Sequence, residues 1–378
     1  MTEILVVTVA LLGVLAAAYL VLKQVHVWLP GSLSRPRARP SANEPVDIMF
    51  LSVDHFELAG KPERLDAWVN RYPELAKRHR DSDGRPPQHT WFYAIDLLHE
   101  HELEPIAELV RQGYGEVELH WHHSHDDRSQ FISDLEDGLS VMQKHGFMLP
   151  YDSDYPACFA FIHGNWSLDN SRGLQFCGID DEIDILKQHG CYADFTYPAL
   201  FQAAQPSQAN QFVYAADDGR PKSYERGKRA KVGRKPADDE LMLFQGPLAI
   251  NLRDWRFKWH PAIEDGDINI SLSQHLLARI RCWVDQKIHL PGQPNWWFVK
   301  VFCHGAQDRE VVLSRETDQM HHLLGEHYND GKHFRLHYVT AREAFNIVKA
   351  AEDGHTGNAG HYRDYLIPHP LQRKSSTS

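Results

Sequence analysis

Cysteine is scarce and unpaired in this chain: Cys158, Cys177, Cys191, Cys282 and Cys303 are the only five, an odd number with no CxxC spacing. A disulfide framework is therefore excluded, and a reducing compartment fits the chain better than an oxidising one. A basic excess is missing too. The formal net charge of −11 at pH 7 excludes a general nucleic-acid partner, which needs a basic face. There is no internal repeat, so a solenoid is not expected. Overall disorder is excluded as well, because 42% hydrophobic residues and ten tryptophans supply ample core for one large or two ordinary domains.

One long apolar run is present. Ile4–Leu22 holds 19 residues without a charge, and at about 1.5 Å per residue it spans roughly 28 Å, close to the ~30 Å hydrocarbon core. Glu3 precedes it where a signal peptide carries cations, and no clear cleavage site follows Ala16-Ala17-Ala18. Residues 1–28 thus read as a single uncleaved anchor in the inner (cytoplasmic) membrane. Lys23, Arg35, Arg37 and Arg39 all lie after the run, which leans the bulk of the chain towards the cytoplasm. A periplasmic or extracellular placement stays open.

Residues 29–45 are rich in Pro, Ser and Arg and read as a linker. From residue 46 to 352, apolar strands alternate with helical stretches. Asp47–Val53, Thr90–Asp96, Val117–His122, Cys158–Ile162, Cys191–Phe195, Leu241–Gln245, Phe298–Cys303 and Phe334–Val339 are the strands. Helices are expected over His101–Gln112, Asp126–His145 and Asp180–His189, and a capping box at Thr340-Ala341-Arg342-Glu343 opens a last one to Ala351. This alternation predicts an α/β fold, a distorted (β/α) barrel of seven or eight strands, preceded by the transmembrane helix. Residues 353–378 read as a C-terminal tail. The loop 217–240 carries eight basic residues between Arg220 and Lys235 against one acid, Glu225. It reads as a solvated face, with an acidic glycan or anionic lipid as the functional alternative.

The densest chemistry lies in Glu118–Asp127, where His120, His122, His123 and His125 stand with Asp126 and Asp127. Crowded imidazoles repel when protonated, so such a cluster calls for a divalent metal that wants them neutral. Alternation along the strand projects His120 and His122 to one face and Trp121 and His123 to the other. An incidental histidine-rich loop is the bland alternative in a chain with 25 histidines. Other strand ends argue against it: Asp54, His55 and Glu57 close the first strand, His163 and Asn165 another, Asp194 a third, and His304 a late one. In a parallel barrel those ends form the active site.

With these residues in view, the chain resembles the NodB-homology polysaccharide deacetylases (carbohydrate esterase family 4) and the related glycoside hydrolase/deacetylase barrels, over roughly Val46–Ala351. Ser52–Glu57 looks like the family's first motif, which supplies a base and a metal ligand. Leu119–His125 looks like its histidine motif, and Val301–Gly305 like its last. The chain departs from the pattern in having Asp54-His55 for an adjacent Asp-Asp pair and His120-x-His122-His123-x-His125 for His-x-x-x-His. Its Arg-x-Pro-Tyr element is replaced by His163-Gly164-Asn165-Trp166. The resemblance implies metal-dependent deacetylation (N- or O-acetyl) of a bacterial cell-surface or exopolysaccharide glycan.

The residue-level reading is consistent with that. Asp54, His120 and His122, with His125 in reserve, are the expected ligands of Zn, or of Co, Ni or Mn. Asp54 or Glu57 is the expected base, and His304 the expected acid. His163, Asn165, Trp166 and Asp194 are the expected substrate contacts. Two other readings remain open: a glycosidase using Glu57 and Asp194 as paired carboxylates, and a catalytically silent barrel that binds glycan or organises polysaccharide-synthesis proteins at the membrane.

Overall fold

The fold is that of a computed structural model, which describes residues 2–149, 158–254 and 261–370. The helices are α1 (Thr2–Leu22), α2 (Val25–Ser34), α3 (Pro62–Ala76), α4 (Glu100–Arg111), α5 (Arg128–Lys144), α6 (Glu182–Gln188), α7 (Leu276–Val284), α8 (Arg309–Val312), α9 (Arg315–Tyr328) and α10 (Ala341–Glu352). The strands are β1 (Val46–Phe56), β2 (His89–Ala94), β3 (Gly115–Trp121), β4 (Phe159–His163), β5 (Cys191–Asp194), β6 (Gln211–Ala215), β7 (Lys228–Arg229), β8 (Leu241–Gln245), β9 (Ala249–Asn251), β10 (Ala262–Glu264), β11 (Trp296–Cys303) and β12 (Phe334–Tyr338).

β1 is buried along its whole length and organises the sheet. One edge pairs in parallel with β11; on the other, β12 takes Val46–Phe50 and β2 takes Ser52–Phe56. The order continues through β3, β4, β5 and β8 to β6 and β7, where the direction reverses. The result is a mixed α/β fold around a large, mostly parallel sheet. It curls far enough for Phe212 of β6 to meet Phe298 of β11 with ring centroids 5.0 Å apart. Among the described residues, however, no ladder joins β6 or β7 to β11, so the expected barrel is not closed. The physical reason is β6: running antiparallel beside β8, it occupies the edge a closing parallel strand would need.

Lys300 holds the open seam. It is buried on the inner face of β11, and its Nζ donates to the carbonyls of Phe195 and Phe244 (both 2.9 Å) and to that of Tyr197. Met49, Leu51, Val53, Ile162, Phe244 and Phe298 fill the inner face together with α10. Ile48, Phe50, Leu119, Phe161 and Val301 belong to the outer layer. The capping box of α10 is present, with Thr340 N donating to Glu343 Oε2 at 3.1 Å and Glu343 N to Thr340 Oγ1 at 3.2 Å.

Two segments expected as linker and tail are partly packed. Residues 29–34 of the expected linker belong to α2, where Ser32 is buried and accepts from Asn210 Nδ2 at 2.8 Å, and Arg35 is buried too, while residues 36–44 are exposed or half-buried. After residue 353, Ile367 is buried and Arg363 pairs with Asp83 at 2.8 Å; residues 371–378 lie outside the described set. In the loop 217–240 the basic charges are largely paired, as in Arg234–Glu240 (2.6 Å) and Arg220–Asp218 (2.8 Å). Among the described residues no single helix is long and apolar enough to cross a membrane. The bent pair Gly13–Leu22 and Val25–Ser34, 72° apart, meets that test jointly.

Candidate metal centre

Strand alternation sorts the chemistry at the strand ends into two layers. On β1, Val53 belongs to the inner cluster and Phe56 to the outer one; on β3, Leu119 and Trp121 are outer. His55 and His120 therefore face inward and Asp54 outward. Glu57, just past β1, meets His120 and His122 on the inner side, and these three form a group able to hold a cation.

The protonation pattern favours a cation there. His120 Nδ1 lies 3.0 Å from the Ile162 carbonyl, which can only accept, so Nδ1 bears the proton and Nε2 a lone pair. Asp96 sets His122 the same way, with Nδ1 3.1 Å from Oδ2 and the His122 backbone N–H donating to Oδ1 at 3.0 Å. Both Nε2 atoms face Glu57 Oε1, at 3.6 Å from His120 and 3.4 Å from His122. Ligand atoms about 2.0–2.2 Å from a tetrahedral ion stand roughly 3.3–3.6 Å apart, which matches these separations. His120 Nε2 is buried with no hydrogen-bond partner, a costly state that a bound cation relieves. The three donors fit a divalent ion with coordination to spare for water or substrate. Gly164 makes the seat: a Cβ there would run into the His122 ring.

Electrostatics agree with the geometry. Burial works to raise the Glu57 pKa, yet the two imidazoles it faces, His120 and His122, outweigh it and hold the carboxylate well below its usual range. Burial works to lower the His122 pKa, but Asp96 and Glu57 raise it to about 9. With no ion bound, that imidazole takes a proton, and ion binding releases it. His120 is lowered mainly by burial, and His55 well below its ordinary value by burial and by His304 and His120.

Around this group sit His55, His304 and Trp166. The His55 ring stacks on His304 (centroids 4.7 Å apart) and meets His120 edge-on at 4.8 Å. Trp166 lies 5.3 Å from His55 and 5.8 Å from His304. Trp166 and His304 line a cleft of about 280 Å³ together with Lys23, Asp265, Asp267 and Arg279. Burial raises the Asp265 and Asp267 pKa values, with Asp267 adding to the rise at Asp265 and Asp308 to that at Asp267.

The remaining expected residues lie elsewhere. Asp54 is in the outer layer, 2.9 Å from His89 Nε2, and its Oδ1 accepts from Gly305 N at 2.6 Å. It is not brought together with His120 and His122. His125 is exposed at φ 57° and belongs to none of the cation-holding groups among the described residues. Asn165 donates to the His123 carbonyl at 2.9 Å. Asp194 pairs in register with Phe161, an outer-layer residue, and accepts from Thr196 Oγ1 at 2.7 Å. Burial pushes its pKa up to about 7.

His163 belongs to a second buried group with His123, Cys177 and Glu182. Its chemistry differs from the first. His163 Nδ1 accepts from Asn165 N at 3.2 Å, which puts the ring proton on Nε2, the atom turned towards Glu182. His123 is bracketed by Asp126 (2.7 Å) and Glu182 (3.1 Å) and acts as a buried imidazolium. His123 is thus hydrogen-bonded to Asp126 and Glu182, while His163 Nε2, 3.8 Å from Glu182, is buried with no hydrogen-bond partner. Sequence reasoning gave no role to Asp96, Asp267 or Arg279, and named His55 only as a strand-end neighbour of Asp54. Only Asp96 had a visible signal, as the last residue of an expected strand.

The chain matches no family model and no curated protein. Among solved structures, a GH57 branching enzyme from the hyperthermophilic archaeon Thermococcus kodakaraensis, in complex with glucose, aligns with 83% of this chain and 72% of its own. The identity is 10% and the TM-score 0.36. An alignment this loose leaves function to be read from the site's own chemistry.

Proposed function

We propose that this chain is a metal-dependent hydrolase that removes acyl groups, acetyl foremost, from a carbohydrate. The observation that carries the reading is the convergence of two imidazole lone pairs and the Glu57 carboxylate beside a cleft with an aromatic wall. A divalent ion held there supplies Lewis acidity and makes water acidic enough to lose a proton near neutral pH. Zinc suits the two-nitrogen, one-oxygen donor set. His304 opens on the cleft and is backed by His55, so it is the group placed to hand a proton to a departing amine or alcohol, a role worth ~10²–10⁴ in rate. Trp166 offers a flat face for a sugar ring, and Asp267 and Arg279 offer partners for its hydroxyls. Asp54 acts indirectly, by fixing the Gly305 backbone that carries His304.

The paired-carboxylate glycosidase fits less well. Glu57 is engaged by two histidines, and Asp194 is sealed in the outer layer, so the two do not flank one space. Acetate release from acetylated oligosaccharides by the zinc-loaded full chain tests the proposal. Release abolished in His304→Ala and in His120→Ala supports it; glycosidic cleavage without acetate release overturns it.

A further inference from the structure

The cleft, lined by Lys23, lies next to the exposed apolar helix α1. Val7, Leu11, Val14, Leu15 and Val21 of α1 are each half or more exposed, and no charge interrupts Ile4–Leu22. α1 is not on a loose tether. Trp28 Nε1 donates back to the Lys23 carbonyl at 3.1 Å, Asn210 Nδ2 donates to Ser32 Oγ at 2.8 Å, and a Cβ at Gly31 would strike the Ser207 carbonyl. α2 is thereby keyed into the domain, and its junction with α1 is held at the cleft.

Lys23, at that junction, lines the cleft and lies 3.7 Å over the ring of Phe201, another cleft residue. The rim continues the apolar surface: Phe201 is 57% exposed and Ile270 83%. A large exposed aromatic and an isoleucine on a cleft rim, beside a cation and the end of an apolar helix, form the pattern of a membrane interface.

We propose that the cleft opens onto a phospholipid bilayer, with α1 embedded, Lys23 at the head-group level and Phe201 and Ile270 pressed into the interface. The substrate is then a membrane-tethered glycan whose sugar enters the cleft from the lipid side. The lipid contact stands on the exposed apolar surface alone; the nature of the substrate rests on the hydrolase reading.

The test uses the full chain in phosphatidylethanolamine–phosphatidylglycerol vesicles. The five native cysteines are buried, so a thiol introduced by Phe201→Cys, by Ile270→Cys, or by Leu366→Cys beside α10 is labelled selectively with an environment-sensitive fluorophore. Lipid-borne nitroxide should quench the probes at 201 and 270 strongly and the one at 366 weakly. Equal quenching at all three, or blue-shifted but unquenched probes at 201 and 270, as contact with a second copy would give, overturns the lipid contact. Ile270→Glu should slow deacetylation of an acetylated glycolipid in vesicles about tenfold or more, while leaving the same sugar in solution unaffected. Equal rates on both substrates, unchanged by Ile270→Glu, overturn the tethered substrate. Quenching at the rim in a chain that binds no metal would sink the hydrolase reading and leave the lipid contact in place.

Discussion

On the proposed ligand set, replacing Asp96 should weaken metal binding without loosening the fold. Asp96 touches no substrate; it takes the Nδ1 proton of His122 and the His122 backbone N–H. Those bonds hold the ring so that Nε2 faces Glu57, and the carboxylate raises the basicity of that nitrogen. Losing such a partner costs a metal site about 10–100-fold in affinity, or ~1.4–2.7 kcal/mol. Asp96→Asn keeps an acceptor and should sit at the lower end; Asp96→Ala removes both bonds and should approach the upper. Competition with a chromophoric zinc chelator reads the affinity, and thermal melting of the metal-free chains reads the fold. Asp54→Asn is the opposite control. It keeps an oxygen for the Gly305 N–H but puts an amide NH2 in place of the carboxylate oxygen that faces His89 Nε2 in the outer layer, so stability should fall while zinc affinity holds. If Asp96→Ala binds zinc as tightly as the parent, or if Asp54→Asn is the variant that loses it, the assignment of ligands fails.

Other outcomes follow from the same contacts. Gly164→Ala should push the His122 ring aside and weaken zinc by a factor similar to Asp96→Ala, with far-ultraviolet dichroism unchanged. Lys300→Met should destabilise the chain by about 3 kcal/mol, because three buried carbonyls at the open seam lose their donor; urea denaturation checks it, and a change below about 1 kcal/mol would deny Lys300 its role. His337 is bonded by Asp47 (2.8 Å) and Asp83 (2.9 Å). Burial works to lower its pKa, but the two acids outweigh it and raise it above the ordinary value. A raised folded-state pKa gives stability that is full below the unfolded value of about 6.5 and is lost as pH rises through the folded value. The penalty of His337→Gln in urea melts should therefore be largest at mildly acid pH and shrink on the alkaline side.

Much of the sheet was legible because buried strands are short, apolar and bounded by turns. β8 occupies the expected residues, and most other expected strands differ by only one to three residues at an end. Alternation on β3 also separates His120 and His122 from Trp121 and His123, as expected from a period of two. It gave no help on β1. From Ile48 to Val53 that strand is apolar on both faces but for Ser52, so nothing in the residues says which parity faces inward, and Glu57 stands beside His120 and His122 where the sequence leads one to expect Asp54. His125 was grouped with the ligands by proximity in sequence, but β3 ends at Trp121 and the turn beyond it carries His125 to the surface. α3 was passed over because Pro73 interrupts its pattern; it sits inside the helix. The open seam had no signature either, since strand direction at β6 is set by pairing with β8 rather than by local composition.

The most direct test is anomalous diffraction at the zinc edge from crystals of the full chain grown with one equivalent of zinc. A single strong peak within about 2.0–2.2 Å of His120 Nε2, His122 Nε2 and a Glu57 oxygen, absent in His120→Ala crystals, is the expected result. A peak among His123, Cys177 and Glu182 instead, or none at Glu57, would contradict the metal centre described here.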